Sequence, residues 1–289
     1  MWFPYALSFA LITSVTVILA KKVMMGMNEY LYLFLTGLFT IPVLFFIIVK
    51  FYTIPNIDQT FWVNTGASTV LNVFAAICAY RAIKIAEVSL ISPISAFNPI
   101  FTAIISLLTI HEVINPKGWL GIFLICLGAY FLQRTKSTKN FLEPIKLFFS
   151  NQAIRLSLIA YFLWALTPIF QKVSILHTDP QVPPFASFVG MIGTTLIYTA
   201  PALKFSKNIL GLTKKYLKLL ILIAILSAIG QAVAFIAFSL TNLGFATAVF
   251  KLSMLFTVLL GWLFFKEHDI KERLLGSTVM LLGVLLLVM

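Results

Sequence analysis

Long apolar runs separated by short polar gaps fill nearly the whole chain. A helix needs about 20 apolar residues to cross about 30 Å of hydrocarbon. The runs lack the roughly ten-residue alternation of membrane β-strands, so they predict an all-α integral membrane protein with ten transmembrane helices. The ten segments, of which the fifth and tenth are the shortest, are Trp2–Ala20, Tyr30–Val49, Phe61–Tyr80, Val88–Ile110, Gly118–Gln133, Ala153–Leu176, Pro184–Leu203, Tyr216–Leu240, Phe245–Phe265 and Leu274–Met289.

The composition agrees with a lipid environment. Hydrophobic residues form 61% of the 289 positions and charged residues only 10%, whereas soluble domains are nearer 25% charged. The net charge of +12 comes mainly from Lys and Arg in the gaps between apolar runs. This placement is typical of the positive-inside rule and argues against a nucleic-acid partner. The lipid bilayer is therefore a predicted partner, and we expect a multi-pass protein of the plasma or inner cell membrane.

An internal repeat emerges when the chain is shifted against itself by 155 residues. The pattern of a Glu, a Gly nine residues later and a Gly seven residues after that then occurs twice. Its members are Glu112, Gly121 and Gly128 in the first copy and Glu267, Gly276 and Gly283 in the second. We predict a first five-helix repeat over residues 1–133, a basic linker over 134–152 and a second five-helix repeat over 153–289.

The repeated residues also suggest local roles. Glycines seven residues apart share one helix face, and small residues let a neighbouring membrane helix approach closely. The glutamates end the fourth and ninth helices, where a carboxylate either caps the start of the next helix or has a role in coupling transport. Because five helices are an odd number, the second repeat enters the membrane from the opposite side. Such inverted repeats are a common construction of secondary transporters, which work by alternating access.

The distribution of positive charge predicts which side faces the cytoplasm. Lys and Arg are more numerous in the odd-numbered loops, such as the loop with Lys21 and Lys22 and the central linker. The positive-inside rule then makes these loops cytoplasmic and, with ten helices, places both termini outside.

Three segments resemble a known family. The sequences HEVINPKGWLGIFLICLGAYFL at 111–132 and KEHDIKERLLGSTVMLLGVLLL at 266–287 are similar to the Glu-then-Gly signature of EamA-type carriers, part of the drug/metabolite transporter superfamily. The segment YFLWALTPIFQK at 161–172 is similar to a Trp-bearing first helix of an EamA repeat; ALITSVTVILAKK at 10–22 lacks the tryptophan. The resemblance implies a five-plus-five inverted-repeat carrier of amino acids, nucleotide-sugars, other metabolites or drugs. It also implies cytoplasmic termini, opposite to the charge distribution.

Polar residues within the apolar runs are candidates for solute binding, because such groups usually face a cavity or a neighbouring helix. Lys251 could attract an anionic group or extend to the interface. Asn98 lies between two prolines of the fourth helix, which either open a binding site or only kink the helix. Asn72 and Gln231 either bind solute or bond to neighbouring helices. Trp164 offers an aromatic wall next to a kink at Pro168, or only packs. Tyr80 binds solute or anchors its helix at the interface. The candidates are Lys251, Asn72, Tyr80, Asn98, Trp164 and Gln231.

Other function classes find less support in the sequence. A flippase of lipid-linked sugars can have the same inverted-repeat fold and remains an alternative. An intramembrane enzyme would need a nucleophile with a base or a metal cluster, and His111, His177 and His268 lack metal-ligand spacing. No Walker-type loop occurs, so an ATP-driven pump is excluded for this chain. We expect no cofactor and no metal; Cys78 and Cys126 read as small apolar residues. The sequence does not predict an oligomeric state.

Overall fold

The computed structural model describes residues 1–85, 92–133, 151–265 and 270–289. This part is almost entirely helical, with one short strand pair. The helices are α1 Phe3–Met24, α2 Glu29–Phe51, α3 Gln59–Ile85, a 3₁₀ helix Ser92–Phe97, α4 Asn98–Thr109, α5 Pro116–Gln133, α6 Gln152–Leu176, α7 Pro183–Phe205, α8 Ile209–Leu240, α9 Leu243–Phe250, α10 Leu252–Phe265 and α11 Ile270–Val288. Strands β1 Asn56–Ile57 and β2 Thr178–Asp179 pair antiparallel.

The all-α membrane prediction is confirmed. Seven helical stretches are long and apolar enough to cross a membrane: Phe3–Met24, Glu29–Phe51, Gln59–Ala79, Gln152–Leu176, Pro183–Phe205, Ile209–Leu240 and Leu243–Leu260. Three further apolar helices have between 10 and 17 residues in the described part of the chain: Ser95–Thr109, Pro116–Leu132 and Leu275–Val288. The protein is therefore a multi-pass membrane protein, and ten crossings stay a prediction.

Short polar side chains in the gaps explain where several helices begin. Asn28 Oδ1 accepts a hydrogen bond from the Tyr30 amide at 2.8 Å, ahead of α2. Asn151 Oδ1 accepts from the Ala153 amide at 2.9 Å, ahead of α6. The first four amides of a helix have no partner within the helix, and Asn or Asp side chains satisfy them. The gaps between apolar runs therefore fix the helix starts.

The fourth and ninth predicted segments are interrupted rather than continuous. The fourth, predicted as Val88–Ile110, contains the 3₁₀ helix followed by α4, and its first residues lie outside the described part. Its prolines lack the amide that a continuous α-helix needs. In the ninth segment α9 and α10 meet at Lys251. The Lys251 amide bonds to Ala248 O and the Met254 amide to Lys251 O, each at 3.0 Å and each three residues back. Such a 3₁₀ turn within a helix often marks a functional hinge or local strain.

The eighth helix begins earlier than predicted. It was expected at Tyr216, but α8 starts at Ile209. The basic residues Lys214 and Lys215 had suggested a loop. Lysine is in fact a good helix former, so a basic stretch can extend a helix beyond its apolar part.

The helices form two compact units that do not coincide with the halves of the chain. Unit 1 contains Leu71–Ile169, Thr241–Met289 and Met1, and unit 2 contains Trp2–Val70 and Phe170–Leu240. Each unit thus takes helices from both predicted repeats. Helices α3 and α6 are divided between the units.

In unit 1, α5 and α11 pack with their backbones in close contact. A Cβ on Gly128 would lie 2.5 Å from Gly276 O, and one on Gly283 would lie 2.7 Å from Gly121 O. Even a methyl group would therefore force the helices apart. The predicted packing role of these four glycines is confirmed. Because Gly121 meets Gly283 while Gly128 meets Gly276, the two helices run antiparallel.

In unit 2, α8 packs against α1 and α2, and α2 also packs against α7. A buried cluster containing Leu31, Leu35, Leu220 and Ile223 fills the space between these helices. Gly37 lies against the Thr195 side chain, which allows α2 and α7 to approach. The β1–β2 pair closes one end of the unit, where His177 Nδ1 and Asp58 Oδ2 are 2.7 Å apart.

Candidate functional site

The structure places the six predicted site residues mostly in unit 1. Lys251, Asn72, Tyr80, Asn98 and Trp164 belong to unit 1, whereas Gln231 belongs to unit 2. Within unit 1, the residues with described polar contacts lie on the two interrupted segments and the helices next to them. This group is the candidate site.

Lys251 occupies the break between α9 and α10, and its side chain is partly buried. It lies eight residues beyond the start of α9, which is about 12 Å at about 1.5 Å per residue. Among the described residues, no carboxylate pairs with its ammonium group and no acceptor for it is found. A lysine in such a position is costly in an apolar environment unless an anion or water compensates its charge. Lys251 therefore supplies the positive charge of this part of unit 1.

The thiol of Cys126 on α5 is buried, and it lies close enough to Lys251 for the two side chains to interact electrostatically. The sulfur also lies close to the main chain of Ile100 at the start of α4. Helices α4, α5 and the α9–α10 break thus converge on one small region of unit 1. The sequence had indicated only a small apolar role for Cys126, and its proximity to a lysine is a finding of the structure.

Asn98 is buried and joins α4 to α6. Its side-chain Nδ2 donates a 2.8 Å hydrogen bond to Tyr161 O. Thr102, one turn further along α4, donates to Ala165 O at 3.3 Å. The side chains of Tyr161 and Ser95 share a further hydrogen bond. The structure therefore shows Asn98 in a bond between two helices, and its role in solute binding stays a prediction.

Trp164 lies on α6 beside this group. Its ring is 5.6 Å from that of Tyr161, with an angle of 50° between the planes. The indole is partly buried. Pro168, one turn later, removes an amide from α6, and the carbonyl of Trp164 loses its usual helical partner. The structure thus places Trp164 beside Tyr161 and one turn before Pro168, and a role in solute binding stays a prediction.

The other three candidates do not join this network. The amides of Asn72 on α3 and Gln231 on α8 are partly buried, and neither has a hydrogen-bond partner among the described residues. Tyr80 lies in α3, but its side chain is outside the described residues. The roles of these three residues stay predictions.

Glu112 caps a different helix from the one expected. Its Oε2 accepts a 2.7 Å hydrogen bond from the amide of Leu243, the first residue of α9. The next helix, α5, is capped instead by Asn115, whose Oδ1 accepts from the Gly118 amide at 2.7 Å. Asn242 Nδ2 also donates to Val113 O at 3.0 Å. The loop before α5 therefore fixes the start of α9, the helix that ends at Lys251. The repeat mate Glu267 lies outside the described residues.

Sequence reasoning missed Ser95, Thr102 and Tyr161. A signal was present, because Ser95, Asn98 and Thr102 have the three-to-four-residue spacing of one helix face in an otherwise apolar segment. Polar residues at this spacing indicate a helix that bonds to its neighbour. The acceptors on α6 are main-chain oxygens, which no sequence pattern marks.

Comparisons with known proteins decide the family. The model of the EamA-like transporter family matches residues 1–134 and again residues 151–289. The chain belongs to the EamA-like transporter family. The prediction from the Glu-then-Gly signature is thereby confirmed.

Solved structures extend the comparison to the fold. A crystal structure whose title names no function matches with a TM-score of 0.80 and 12% sequence identity. The match covers 99% of this chain and 95% of the other. At this identity the likeness concerns the fold alone. Among curated proteins, no significant relative matches this sequence.

Family membership makes the chain a solute transporter of the membrane in general terms. It favours transport over intramembrane catalysis. The described residues contain no group of three His, Cys, Asp or Glu side chains that could hold a metal ion.

Proposed function

We propose that the protein is a secondary transporter that moves small organic solutes, such as amino acids or related metabolites and drugs, by alternating access. Family membership supports transport of a solute. Two features of unit 1 support the finer proposal. One is the symmetry of the contact between α5 and α11, and the other is the lysine at the break between α9 and α10.

The contact between α5 and α11 has the reciprocity of a two-fold axis. The 155-residue shift makes Gly121 equivalent to Gly276 and Gly128 equivalent to Gly283. In the structure Gly121 lies against Gly283, which is the equivalent of Gly128. Gly128 lies against Gly276, which is the equivalent of Gly121. Isologous interfaces have this property, because residue i contacts j while j contacts i. An axis that relates two antiparallel membrane helices lies across them, so the proposed two-fold axis lies in the membrane plane.

This reciprocity supports a duplicated and inverted unit, with repeats over residues 1–133 and 153–289 joined by the linker 134–152. Inverted repeats let each half adopt the conformation of the other, which exposes the solute site first on one side and then on the other. Ten crossings follow if the three shorter apolar helices also span. We also propose the plasma or inner cell membrane as the location of this multi-pass protein.

The position of Lys251 supports an anionic group on the solute. The residue stands at a break where α9 ends and α10 begins, and broken helices line solute sites in many transporters. The amide end of α10 adds a favourable field for an anion. A carboxylate or a phosphate bound there would supply the partner that the described residues do not provide.

The test is solute uptake into proteoliposomes. A screen of radiolabelled amino acids, nucleotides and sugar phosphates first identifies a transported anion. Lys251→Gln then removes the charge at similar length, and we expect a KM about 10- to 100-fold higher, since a hydrogen bond to a charged group contributes about 1.5–3 kcal/mol. Lys251→Arg should recover much of the affinity.

The matched control is Lys50→Gln, at an exposed position in the last turn of α2. It removes the same charge from unit 2 and should leave KM unchanged. Unaltered KM and maximal rate in Lys251→Gln would remove Lys251 from the solute site. Absence of uptake for every labelled solute in the screen, with the purified protein folded, would count against the carrier itself.

A further inference from the structure

One end of unit 2 is strongly basic. Seven exposed lysines lie on the last turns of α1 and α7, in the gap after α7 and on the first turns of α8: Lys21, Lys22, Lys204, Lys207, Lys214, Lys215 and Lys218. The described carboxylate nearest to these positions in sequence is Glu29, at the start of α2. These seven residues form what we call the lysine end.

Packing within unit 2 brings these helix ends together. Gly26, just after α1, lies against the hydroxyl of Tyr216 on α8. The ring of Tyr30, at the start of α2, is 5.6 Å from that of Phe205, at the end of α7. The lysines that follow or precede these contacts therefore share one end of the helix bundle, although they lie up to 197 positions apart in sequence.

The length of α8 sets the depth of its lysines. The helix has 32 residues, which at about 1.5 Å per residue is about 48 Å, against about 30 Å of hydrocarbon. The strongly apolar part follows Lys218, so the surplus falls at the start of the helix. Lys214, Lys215 and Lys218 then stand at the level of the lipid headgroups.

Exposed apolar side chains lie among the lysines. Leu210 is 77% exposed, Leu203 is 61% exposed and Phe205 is 55% exposed. The ammonium of Lys204 lies 5.5 Å from the Phe205 ring centre, and that of Lys215 lies 5.1 Å from the Tyr216 ring centre. Charged heads beside aromatic rings and exposed leucines are typical of a membrane interface. A site for a free aqueous anion would gain nothing from these apolar side chains.

The opposite end of unit 2 has a different charge pattern. It carries Lys50 and Lys172, but also the carboxylates Asp58 and Asp179 near the β1–β2 pair. The bundle is thus basic at one end and mixed at the other. Charge concentrated at one end favours different lipid contacts at the two ends of the bundle. Charge that served only solubility would have no reason to lie at one end.

We propose that the lysine end binds the phosphate groups of anionic phospholipids, in the leaflet that this end of unit 2 faces. Juxtamembrane lysines attract anionic headgroups through additive charge interactions that salt weakens. Bound lipid anchors the ends of α1, α7 and α8 at one depth. This inference does not depend on which solute the protein carries.

Native mass spectrometry of the full-length protein in neutral detergent tests the proposal. We expect phosphatidylglycerol to bind in preference to phosphatidylcholine and to raise the melting temperature more. The triple variant K214Q/K215Q/K218Q should weaken phosphatidylglycerol binding about tenfold or more. The variant K214R/K215R/K218R keeps the charges and should retain binding.

The control variant K50Q/K172Q changes lysines at the opposite end and should bind phosphatidylglycerol like the unmodified protein. Equal binding by K214Q/K215Q/K218Q and the unmodified protein would overturn the proposal. Equal stabilisation by inorganic phosphate alone would also overturn it, because the site would then take a free anion. If the triple variant does not fold, K21Q/K22Q provides the same comparison at the end of α1.

Discussion

Unit 1 contains the interrupted segments, whereas α1, α2, α7 and α8 of unit 2 run without a break. In unit 1 the main chains of α5 and α11 are in direct contact at four glycines. In unit 2 large apolar side chains fill the space between the helices. Lys251 and the Asn98 bond to α6 also belong to unit 1. The lysine end and the β1–β2 pair belong to unit 2.

This difference suggests a division of tasks between the units. Interrupted helices place main-chain groups and a cation within the apolar region, where a solute can use them. Continuous helices with charged ends fix the depth of a bundle in the membrane. We interpret unit 1 as the part that contacts the solute and unit 2 as the part that holds the protein at the interface.

The largest expected effect concerns the glycine contact of unit 1. Gly128→Ala places a methyl group about 2.5 Å from Gly276 O and Met280 Cγ, so α5 and α11 must separate. We expect a loss of about 1–3 kcal/mol in the free energy of unfolding, as for other overpacked interiors. Thermal melting in detergent measures this loss.

Gly66→Ala on α3 is the matched control, because a Cβ there has no atom within 4 Å. Alanine is also the better helix former, by up to about 1 kcal/mol. We expect an unchanged or slightly higher melting temperature. A loss as large as that of Gly128→Ala would mean that the glycine contact has no special role in unit 1.

The sequence predicted the apolar helices and the contacting glycine face well, because both depend on local pattern. Apolar runs determine where helices can span, and a seven-residue glycine spacing depends only on helix geometry. The cap from Glu112 to Leu243 could not be predicted in the same way. It joins residues 131 positions apart, and a carboxylate at a helix end gives no indication of which helix it will cap.

The break at Lys251 could not be predicted from the local sequence either. The segment GFATAVFKLSM contains no proline that would mark an interruption of the helix. The break becomes visible only in the main-chain bonds of the folded chain. The β1–β2 pair was missed because two-residue strands are too short to show alternation. Lys251 stands out in the sequence as a charge within an apolar run, and its role in the site stays a prediction; no pattern marked the thiol beside it.

A smaller effect is expected from Glu112, which connects stability and solute binding in unit 1. Glu112→Ala leaves the Leu243 amide without its charged cap and should cost about 0.5–2 kcal/mol of stability. Because α9 begins at this cap and ends at Lys251, the KM of an anionic solute should also rise. Melting curves and uptake kinetics together measure both changes.

Asn115→Ala removes a local cap with the same 2.7 Å hydrogen-bond length from α5 and serves as the control. It should lower stability by a similar amount but raise KM less, because Asn115 does not hold α9. If both variants raised KM equally, Glu112 would act through general stability alone and not by positioning Lys251.

The smallest expected effect lies in unit 2, at the exposed pair of Asp58 and His177. The pKa of Asp58 is lowered, first because its carboxylate accepts a hydrogen bond from the Phe61 amide at 2.8 Å and second because it bonds to His177. A lowered pKa means that the folded protein favours the charged carboxylate. Its contribution to stability is therefore present above the ordinary Asp pKa of about 3.9 and disappears as the pH falls through the lower folded value.

We expect the melting temperature to fall on acidification below about pH 4, and to fall less steeply in Asp58→Asn. Asp179→Asn, a change of the same charge on β2, is the control and should keep the profile of the unmodified protein. Because Asp58 is exposed and screened by solvent, the difference should amount to a small shift of the melting curve. Solute KM at neutral pH should not change in Asp58→Asn, since the pair belongs to unit 2. A changed KM would mean that the β1–β2 end also contributes to solute binding, and the division of tasks between the units would then be wrong.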